Sequence, residues 1–313
     1  MTPEAKPAIE VEGLTKRFGA LTAVDRLGLQ VRPGEIFGLV GPDGAGKTTT
    51  MRMLAGVIRP DDGRIIIDSI DVRAEPERVK RHLSYMPQRF GLYEDLTVDE
   101  NIRFYADLFE VDDKVWRARA DAMLEISGMT RFRRRLAGQL SGGMKQKLGL
   151  TCSLVHTPRV LLLDEPTTGV DPVSRREFWQ ILYSLRAEGV AMLISTAYLD
   201  EAERCDRLAL MNEGAVLLCD TPAGLKHQMP GAMLEVVSGN PRGVRDAVAV
   251  LPGVLGVLVV GTGAHVHVDD ASRAAQIAEK LSASGIENSG ISVVTPSVED
   301  LFVAFLGDRK QQA

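Results

Sequence analysis

The feature that most constrains the fold of this 313-residue chain is a glycine-rich loop, Gly41-Pro-Asp-Gly-Ala-Gly-Lys-Thr48. The loop matches the spacing G-x-x-x-x-G-K-[ST], follows an apolar run at residues 35–40 and precedes a helix-compatible run at residues 49–57. In that context the glycines let backbone N–H groups converge on phosphate oxygens, and the start of the helix adds positive potential. The sequence therefore predicts a nucleotide-phosphate site, in which Lys47 reaches the β and γ phosphates and Thr48 ligates Mg²⁺. The predicted nucleotide-binding residues of this loop are Gly41, Pro42, Asp43, Gly44, Ala45, Gly46, Lys47, Thr48 and Thr49.

Strands alternate with helices from Ile9 to about Asp220, which predicts an α/β fold with crossover helices on a sheet. The apolar runs at residues 35–40, 159–164 and 190–195 are typical of central strands buried on both faces. Helical spacing of apolar residues over residues 97–136 predicts a helical insert, which we place at about residues 97–150. We expect this larger domain to occupy residues 1–222.

The remaining residues, 223–313, show a different order of elements: strand, helix, strand, strand, helix, strand. That order is typical of a small ferredoxin-like α+β domain. A closing helix is predicted at residues 297–306, with Ser297 as its N-cap and Asp300 at the third helical position. His265 and His267 share one strand face, but no third ligand accompanies them, so we favour a structural role over a metal site.

Two further motifs carry chemistry. The run Leu161-Leu-Leu ends in Asp164 and Glu165, and such a strand end can place one carboxylate near Mg²⁺ and the other near an attacking water. Ser141-Gly142-Gly143 stands just before an apolar helix, which is a second phosphate-binding device. Because one chain does not need two such devices for one nucleotide, we expect the second to serve the nucleotide of a neighbouring chain.

Over about residues 8–222, these motifs in this order resemble the nucleotide-binding subunits of ABC transporters. The resemblance implies a P-loop NTPase domain of ABC type that binds ATP and Mg²⁺. It also implies a head-to-tail dimer, in which two ATP molecules lie between one chain's phosphate loop and the other chain's Ser-Gly-Gly signature. Phe18 would stack on adenine, and Gly169-Val-Asp171 would form a contact across the dimer.

The implied catalytic residues are Glu165 as general base, Lys47 and Gln88, the last as the Mg²⁺ and water sensor. The implied Mg²⁺ ligands, partly through water, are Thr48, Gln88 and Asp164. The signature residues Ser141, Gly142 and Gly143 would bind the partner's ATP.

Three stretches are similar to bacterial exporters of the drug and lipid-efflux type: residues 42–46, residues 92–101 and residues 295–302. In those exporters the permease is a separate six-helix chain, and residues 92–101 lie where its cytoplasmic helix docks. The resemblance therefore implies an ATPase motor subunit that energises drug or lipid-like efflux. Its expected partners are a second ATP-binding subunit, identical or paralogous, and an integral membrane permease.

The net charge and the first residues of the chain help to predict whether it binds nucleic acid or membrane lipid, and where it is located. The formal net charge of −5 argues against a general nucleic-acid partner and against unaided adsorption to an anionic membrane. Residues 1–7 carry no apolar core of signal-peptide type. We therefore expect no nucleic acid, no direct lipid anchor, and a cytoplasmic protein that is peripheral at the inner face of the cell membrane through its permease.

Two positions depart from the family pattern. Asp43 stands where the family has Asn, which places a carboxylate beside the phosphates, and Ala197 stands where a His contacts the γ-phosphate. Two alternative functions remain open at this point. One is an ABC ATPase that acts on ribosomes or DNA, and the other is a regulator whose small second domain binds a ligand.

Overall fold

The computed structural model describes the backbone of residues 6–312 and the side chains of residues 6–305. In this part of the chain the strands β1 to β14, in order, are Ile9–Phe18, Leu21–Val31, Ile36–Val40, Asp62–Ile67, Ile70–Asp71, Leu83–Met86, Val160–Asp164, Ala191–Thr196, Arg207–Asn212, Ala215–Asp220, Ala232–Val237, Val254–Val260, Gly263–Val268 and Gly290–Val294. The helices α1 to α11 are Lys47–Leu54, Pro76–Val79, Val98–Leu108, Asp113–Ile126, Gly142–Leu154, Pro172–Ala187, Leu199–Ala202, Pro222–His227, Pro241–Val248, Arg273–Ala283 and Val298–Gln312. The chain forms two compact units: unit 1 contains residues 6–198 and Cys205–Cys219, and unit 2 contains Leu199–Arg204 and residues 220–312.

The central sheet of unit 1 has the order β10-β9-β3-β8-β7-β6. The neighbouring pairs from β9 to β6 are all parallel, as expected for strands joined by crossover helices. Every residue of β3, β7 and β8 is buried, which confirms that these three apolar runs are strands covered on both faces. Because all five parallel strands end at the same edge, the loops that follow β3, β6, β7 and β8 lie together.

A second, antiparallel sheet of unit 1 has the order β2-β1-β4-β5. The helical insert consists mainly of α3 and α4. A capping box starts α3: Thr97 Oγ1 accepts the N–H of Glu100, and the Glu100 carboxylate accepts the N–H of Thr97. Within residues 97–136 the structure interrupts the predicted helical region twice: at residues 109–112, where Glu110 has a φ of 55°, and after Ile126, where Gly128 has a φ of 67° and two short 3-10 turns follow.

Unit 2 contains an antiparallel sheet of order β12-β13-β11-β14, with α9 and α10 packed on one face. The core between them is aliphatic and consists chiefly of Leu234, Val236, Val244, Val248, Val266, Ile277 and Leu281. The predicted N-cap of the last helix is present: Ser297 Oγ accepts the N–H of Asp300, and the Asp300 carboxylate accepts the N–H of Ser297. Among the described helices, none combines the length and the apolar character needed to cross a membrane.

Candidate functional site

The glycine-rich loop connects β3 to α1, and two of its glycines lie where no side chain fits. A Cβ on Gly41 would overlap the carbonyl oxygen of Met211 on β9. Gly46 has a φ of 101°, and a Cβ there would overlap the carbonyl oxygen of Ala23 on β2. The loop therefore keeps a shape that only glycine permits, and it leaves its backbone at the edge of an open cavity.

Lys47 begins α1 and lies under the loop, with only 4% of its surface exposed. Its ammonium group donates to the carbonyl oxygens of Gly41 at 2.8 Å and Pro42 at 3.0 Å. The same nitrogen lies 3.4 Å from Oε1 of Glu165. A positive charge is thus held at the loop by weak partners that a phosphate oxygen can replace.

Asp164 is the last residue of β7 and is almost fully buried, at 1% exposure. Its Oδ1 accepts hydrogen bonds from Ser195 Oγ at 2.6 Å and Thr48 Oγ1 at 3.1 Å, and its Oδ2 accepts one from Tyr85 at 3.2 Å. In the described part of the chain, no basic side chain forms an ion pair with this carboxylate. Burying a carboxylate without a positively charged partner costs desolvation free energy. Its oxygen atoms are ligands that suit a cation.

Two of these hydroxyls were not predicted from sequence. Ser195 lies near the end of β8 and Tyr85 lies on β6, the two strands that flank β7. Burial, then the negative charge of Asp164 and the hydrogen bond to it, raise the pKa of Tyr85 to about 12, so its hydroxyl keeps its proton and donates. The only sequence signal for either residue is its position near the end of a strand, because strand order is not visible in a single sequence.

Glu165 follows β7 in a left-handed conformation, with a φ of 49° that is uncommon for a residue other than glycine. Its side chain is 12% exposed, and its Oε2 accepts hydrogen bonds from Gln88 at 3.1 Å and Thr168 at 3.4 Å. Gln88 follows β6, at the same edge of the sheet. The structure thus brings together Glu165, Gln88 and Lys47, which are distant in sequence.

These groups border a cavity of about 850 Å³, a size that suits a nucleotide. Of the predicted site residues, the cavity is lined by Phe18, Asp43, Gly44, Ala45, Gly46, Lys47, Thr48, Thr49, Gln88 and Glu165. Phe18 lies at the rim, 51% exposed, with the Lys16 ammonium 5.5 Å from the centre of its ring. An exposed aromatic face beside a polar cavity is available for stacking.

The signature residues lie elsewhere, because none of Ser141, Gly142 and Gly143 lines this cavity. Ser141 is the N-cap of α5, and its Oγ accepts the N–H of Met144 at 3.3 Å. A Cβ on Gly143 would overlap the side chain of Ser174 on α6, so glycine is required for the two helices to approach. The amino end of α5 therefore remains available to a ligand other than one held by the chain's own phosphate loop.

Ala197 and Asp43, the two departures from the family pattern, are both exposed. Ala197 directly follows β8, and the next residue, Tyr198, donates its N–H to Thr196 Oγ1 at 2.9 Å. The methyl group of Ala197 offers no hydrogen-bond donor. Asp43 places its carboxylate in the lining of the cavity.

The oxygen atoms at this edge match the preference of Mg²⁺ for hard ligands. Thr48 Oγ1 and Asp164 Oδ1 lie 3.1 Å apart, and the Gln88 amide lines the same cavity. The lack of a basic partner for Asp164 among the described residues leaves its charge available to a cation. The residues present therefore fit a magnesium ion.

Comparisons with known proteins agree with this geometry. The family model described as ABC transporter matches residues 24–168. The chain is 44% identical over 304 residues to the probable multidrug ABC transporter ATP-binding protein YbhF of Escherichia coli strain K12. The alignment covers 96% of this chain but only 52% of YbhF. It is 35% identical over 310 residues to the daunorubicin resistance ATP-binding protein DrrA2 of Streptomyces coeruleorubidus, with 97% of this chain and 96% of that protein covered. A solved structure described as an ATP-binding subunit of an ABC transporter superposes with a TM-score of 0.65 at 29% identity, covering 71% of this chain and 92% of that one. The chain thus spans about half the length of YbhF and nearly all of DrrA2.

Proposed function

The chain belongs to the ATP-binding proteins of the ABC transporter family, with the P-loop NTPase fold of that family, and from this premise we propose that it is the ATP-hydrolysing motor subunit of an exporter. The names of two relatives, a multidrug transporter protein and a daunorubicin resistance protein, favour drug-like compounds as cargo. The lipid-like alternative rests on the sequence resemblance alone. The observation that carries the ATPase assignment is the convergence of Glu165, Lys47 and Gln88 on one cavity.

The proposal assigns a role to the main predicted site residues that line the cavity. The N–H groups of the phosphate loop and the ammonium of Lys47 bind the phosphates, as the lysine exchanges the carbonyl oxygens of Gly41 and Pro42 for phosphate oxygens. Phe18 stacks on the adenine. Glu165 accepts the proton of the attacking water, and Gln88, which donates to that carboxylate, orients the water.

A bound Mg²⁺ would offset the negative charge of the phosphates, and Thr48, Gln88 and Asp164 would hold it, partly through water. The contribution of the chain is to keep the carboxylate of Asp164 oriented. The hydroxyls of Ser195 and Tyr85 do this, since both donate to the carboxylate.

We further propose that two ATP-binding subunits, identical or paralogous, assemble head to tail. The support is the separation of the two phosphate-binding devices: Ser141, Gly142 and Gly143 stand at the amino end of α5 and do not line the cavity of their own chain. In the dimer this helix start would meet the phosphates bound by the partner. ATP then favours the closed dimer because it makes contacts there that the open state lacks, and hydrolysis reopens it.

We propose an integral membrane permease as the other partner, through which the protein would be peripheral at the inner face of the cell membrane. A groove of about 600 Å³ in unit 1 is lined by Leu83, Phe90, Tyr105, Leu108 and Phe109. Leu108 is 62% exposed, and the groove lies next to residues 92–101 in the chain. An amphipathic helix of the permease would bury its apolar face in this groove.

For domain organisation we propose a larger domain at residues 1–222 and a ferredoxin-like accessory domain at residues 223–313. The order of elements and the sheet order β12-β13-β11-β14 support the ferredoxin-like class. A fold of this class does not by itself indicate a ligand.

The test of the ATPase assignment is Glu165→Gln. The amide cannot accept the proton of water, so we expect hydrolysis to fall about 10² to 10⁴-fold while ATP still binds. The exposed Glu125 on α4 offers a matched control, and Glu125→Gln should hydrolyse ATP at the wild-type rate. Steady-state phosphate release measures both variants.

The same variant tests the dimer, because slowed hydrolysis should accumulate the ATP-bound closed state. With ATP and Mg²⁺, Glu165→Gln should elute as a dimer in gel filtration, and it should elute as a monomer without nucleotide. Retention of wild-type turnover would remove Glu165 as the base. A monomer at every accessible protein concentration would count against the shared ATP sites.

A further inference from the structure

The loop between β7 and α6, residues 165–171, carries the proposed catalytic base at its first position. Glu165 adopts a φ of 49°, a conformation that persists only where the surroundings hold it in place. The contacts at the two ends of this loop therefore bear on how well the carboxylate is oriented.

The first end is tied to β8 by the backbone of Glu165. Its N–H lies 3.1 Å from the carbonyl oxygen of Ser195 and 3.0 Å from Ser195 Oγ. Because Ser195 Oγ also donates to Asp164, the end of β8 is linked to both carboxylates of the site.

The second end reaches the same strand end through a stacked pair of side chains. Asp171 caps α6, accepting the N–H groups of Val173 and Ser174, and Arg175 follows in the first turn of the helix. The guanidinium carbon of Arg175 lies 4.5 Å from the centre of the Tyr198 ring. Tyr198 in turn donates its N–H to Thr196 Oγ1, so its position is coupled to the last residue of β8.

Resting on the proposed function, we propose that Arg175 and Tyr198 are positioning residues for ATP hydrolysis. Their stack links the first turn of α6, just after the loop, to the residues that follow β8, so that the structure on both sides of the segment carrying Glu165 is tied to the end of this strand. Ala197, between Thr196 and Tyr198, has no hydrogen-bond donor in its side chain, so its methyl group cannot tie the end of β8 to a polar partner. A planar guanidinium over an aromatic face supplies an orientation that a flexible ammonium does not.

The experiment compares variants that remove the stack from either side. Arg175→Lys keeps the positive charge for any other polar contact of this side chain, but it loses the planar group. Tyr198→Leu removes the ring, whereas Tyr198→Phe keeps it. Arg176, exposed on the next position of α6, provides the matched control Arg176→Lys.

We expect kcat to fall about threefold to tenfold in Arg175→Lys and in Tyr198→Leu, with KM for ATP and the binding of a non-hydrolysable ATP analogue within about twofold of wild type. The double variant should lose no more than the worse single variant, because both changes break one contact. Tyr198→Phe should lose far less than Tyr198→Leu, and Arg176→Lys should match the wild type.

Three results would overturn the inference. Wild-type kcat in Arg175→Lys and Tyr198→Leu would show that the stack positions nothing, and multiplied losses in the double variant would show that the residues act separately. If the variants lowered kcat, weakened binding of the ATP analogue and lowered the unfolding temperature together, the stack would have a general structural role. The assay includes Glu165→Gln: if that variant keeps its turnover, the proposed function fails, whereas an inactive Glu165→Gln beside a fully active Arg175→Lys overturns this inference alone.

Discussion

Unit 1 and unit 2 each bury an aspartate, and the two aspartates are held differently. In unit 1, Asp164 accepts hydrogen bonds from the hydroxyls of Thr48, Ser195 and Tyr85. In unit 2, Asp300 accepts bonds from the N–H and the hydroxyl of Ser297, and the imidazole Nδ1 of His265 lies 2.9 Å from its Oδ2. Both carboxylates accept hydrogen bonds, but among the residues that the structure describes a basic side chain forms an ion-pair contact with Asp300 and none does with Asp164.

The cavities next to the two carboxylates also differ in size. Asp164 lies behind a cavity of about 850 Å³ that also contains Lys47 and Glu165, whereas Asp300 borders a cavity of about 130 Å³ under α11. The second carboxylate ties a helix start to β13. A buried charge with only neutral partners and an open cavity is therefore the better sign of a functional site than burial alone.

The largest effect is expected from replacing Asp300, the aspartate that holds the helix start in unit 2. Asp300→Ala removes the carboxylate half of the capping box of α11 and leaves the His265 Nδ1 and the Ser297 N–H without their acceptor, which should cost about 3 kcal/mol of the stability of unit 2. Hydrogen exchange of the amides in β11 and β13 measures this loss, since both tryptophans, Trp116 and Trp179, lie in unit 1. The exposed Asp246 gives the control Asp246→Ala, which should leave exchange unchanged, and unaltered protection in Asp300→Ala would contradict the structural role.

A smaller effect is expected at the functional member, and it should appear in binding rather than in stability. Lys47→Ala removes a charged donor to the phosphates, which is worth about 1.5 to 3 kcal/mol, or roughly tenfold to a hundredfold in ATP affinity. Isothermal titration with ATP and Mg²⁺ measures the change, and Lys114→Ala, at an exposed position of α4, serves as the control. An unchanged affinity would mean that Lys47 serves only to brace the loop through Gly41 and Pro42.

The smallest effect concerns an exposed charge at the rim of the open cavity. Asp43→Asn removes a carboxylate near the bound phosphates, and exposed charges at such distances interact by about 1 kcal/mol or less in water. ATP affinity should therefore rise by up to about fivefold at low ionic strength and by less at high ionic strength, because salt screens the repulsion. Equilibrium titrations at the two salt concentrations check this, and a gain that does not depend on salt would point to a change in loop shape instead.

Much of the fold could be predicted because its signals are local. The apolar runs that become β3, β7 and β8 were placed to within one residue, since strands buried on both faces are continuously apolar. The sequence predicts a helical insert without its internal boundaries, and the structure divides it where Glu110 and Gly128 adopt left-handed backbone conformations that end α3 and α4. The spacing of apolar residues indicates which side of a helix faces the core, but it does not predict accurately where the helix ends.

By itself, the sequence determined the residues that chemistry requires at fixed spacings: the glycine loop with Lys47 and Thr48, the pair Asp164 and Glu165, and the second glycine motif after Ser141. Spacing along the chain suffices for these because each motif is a short local segment at the end of a strand or at the start of a helix. Only the tertiary structure decided that β6 and β8 flank β7, and hence that Tyr85 and Ser195 hold Asp164. It also decided that Arg175 stacks on Tyr198 and that His265 meets Asp300, 35 residues later in the chain. Contacts of this kind depend on strand order and on packing across the sheet, and neither leaves a local pattern in one sequence.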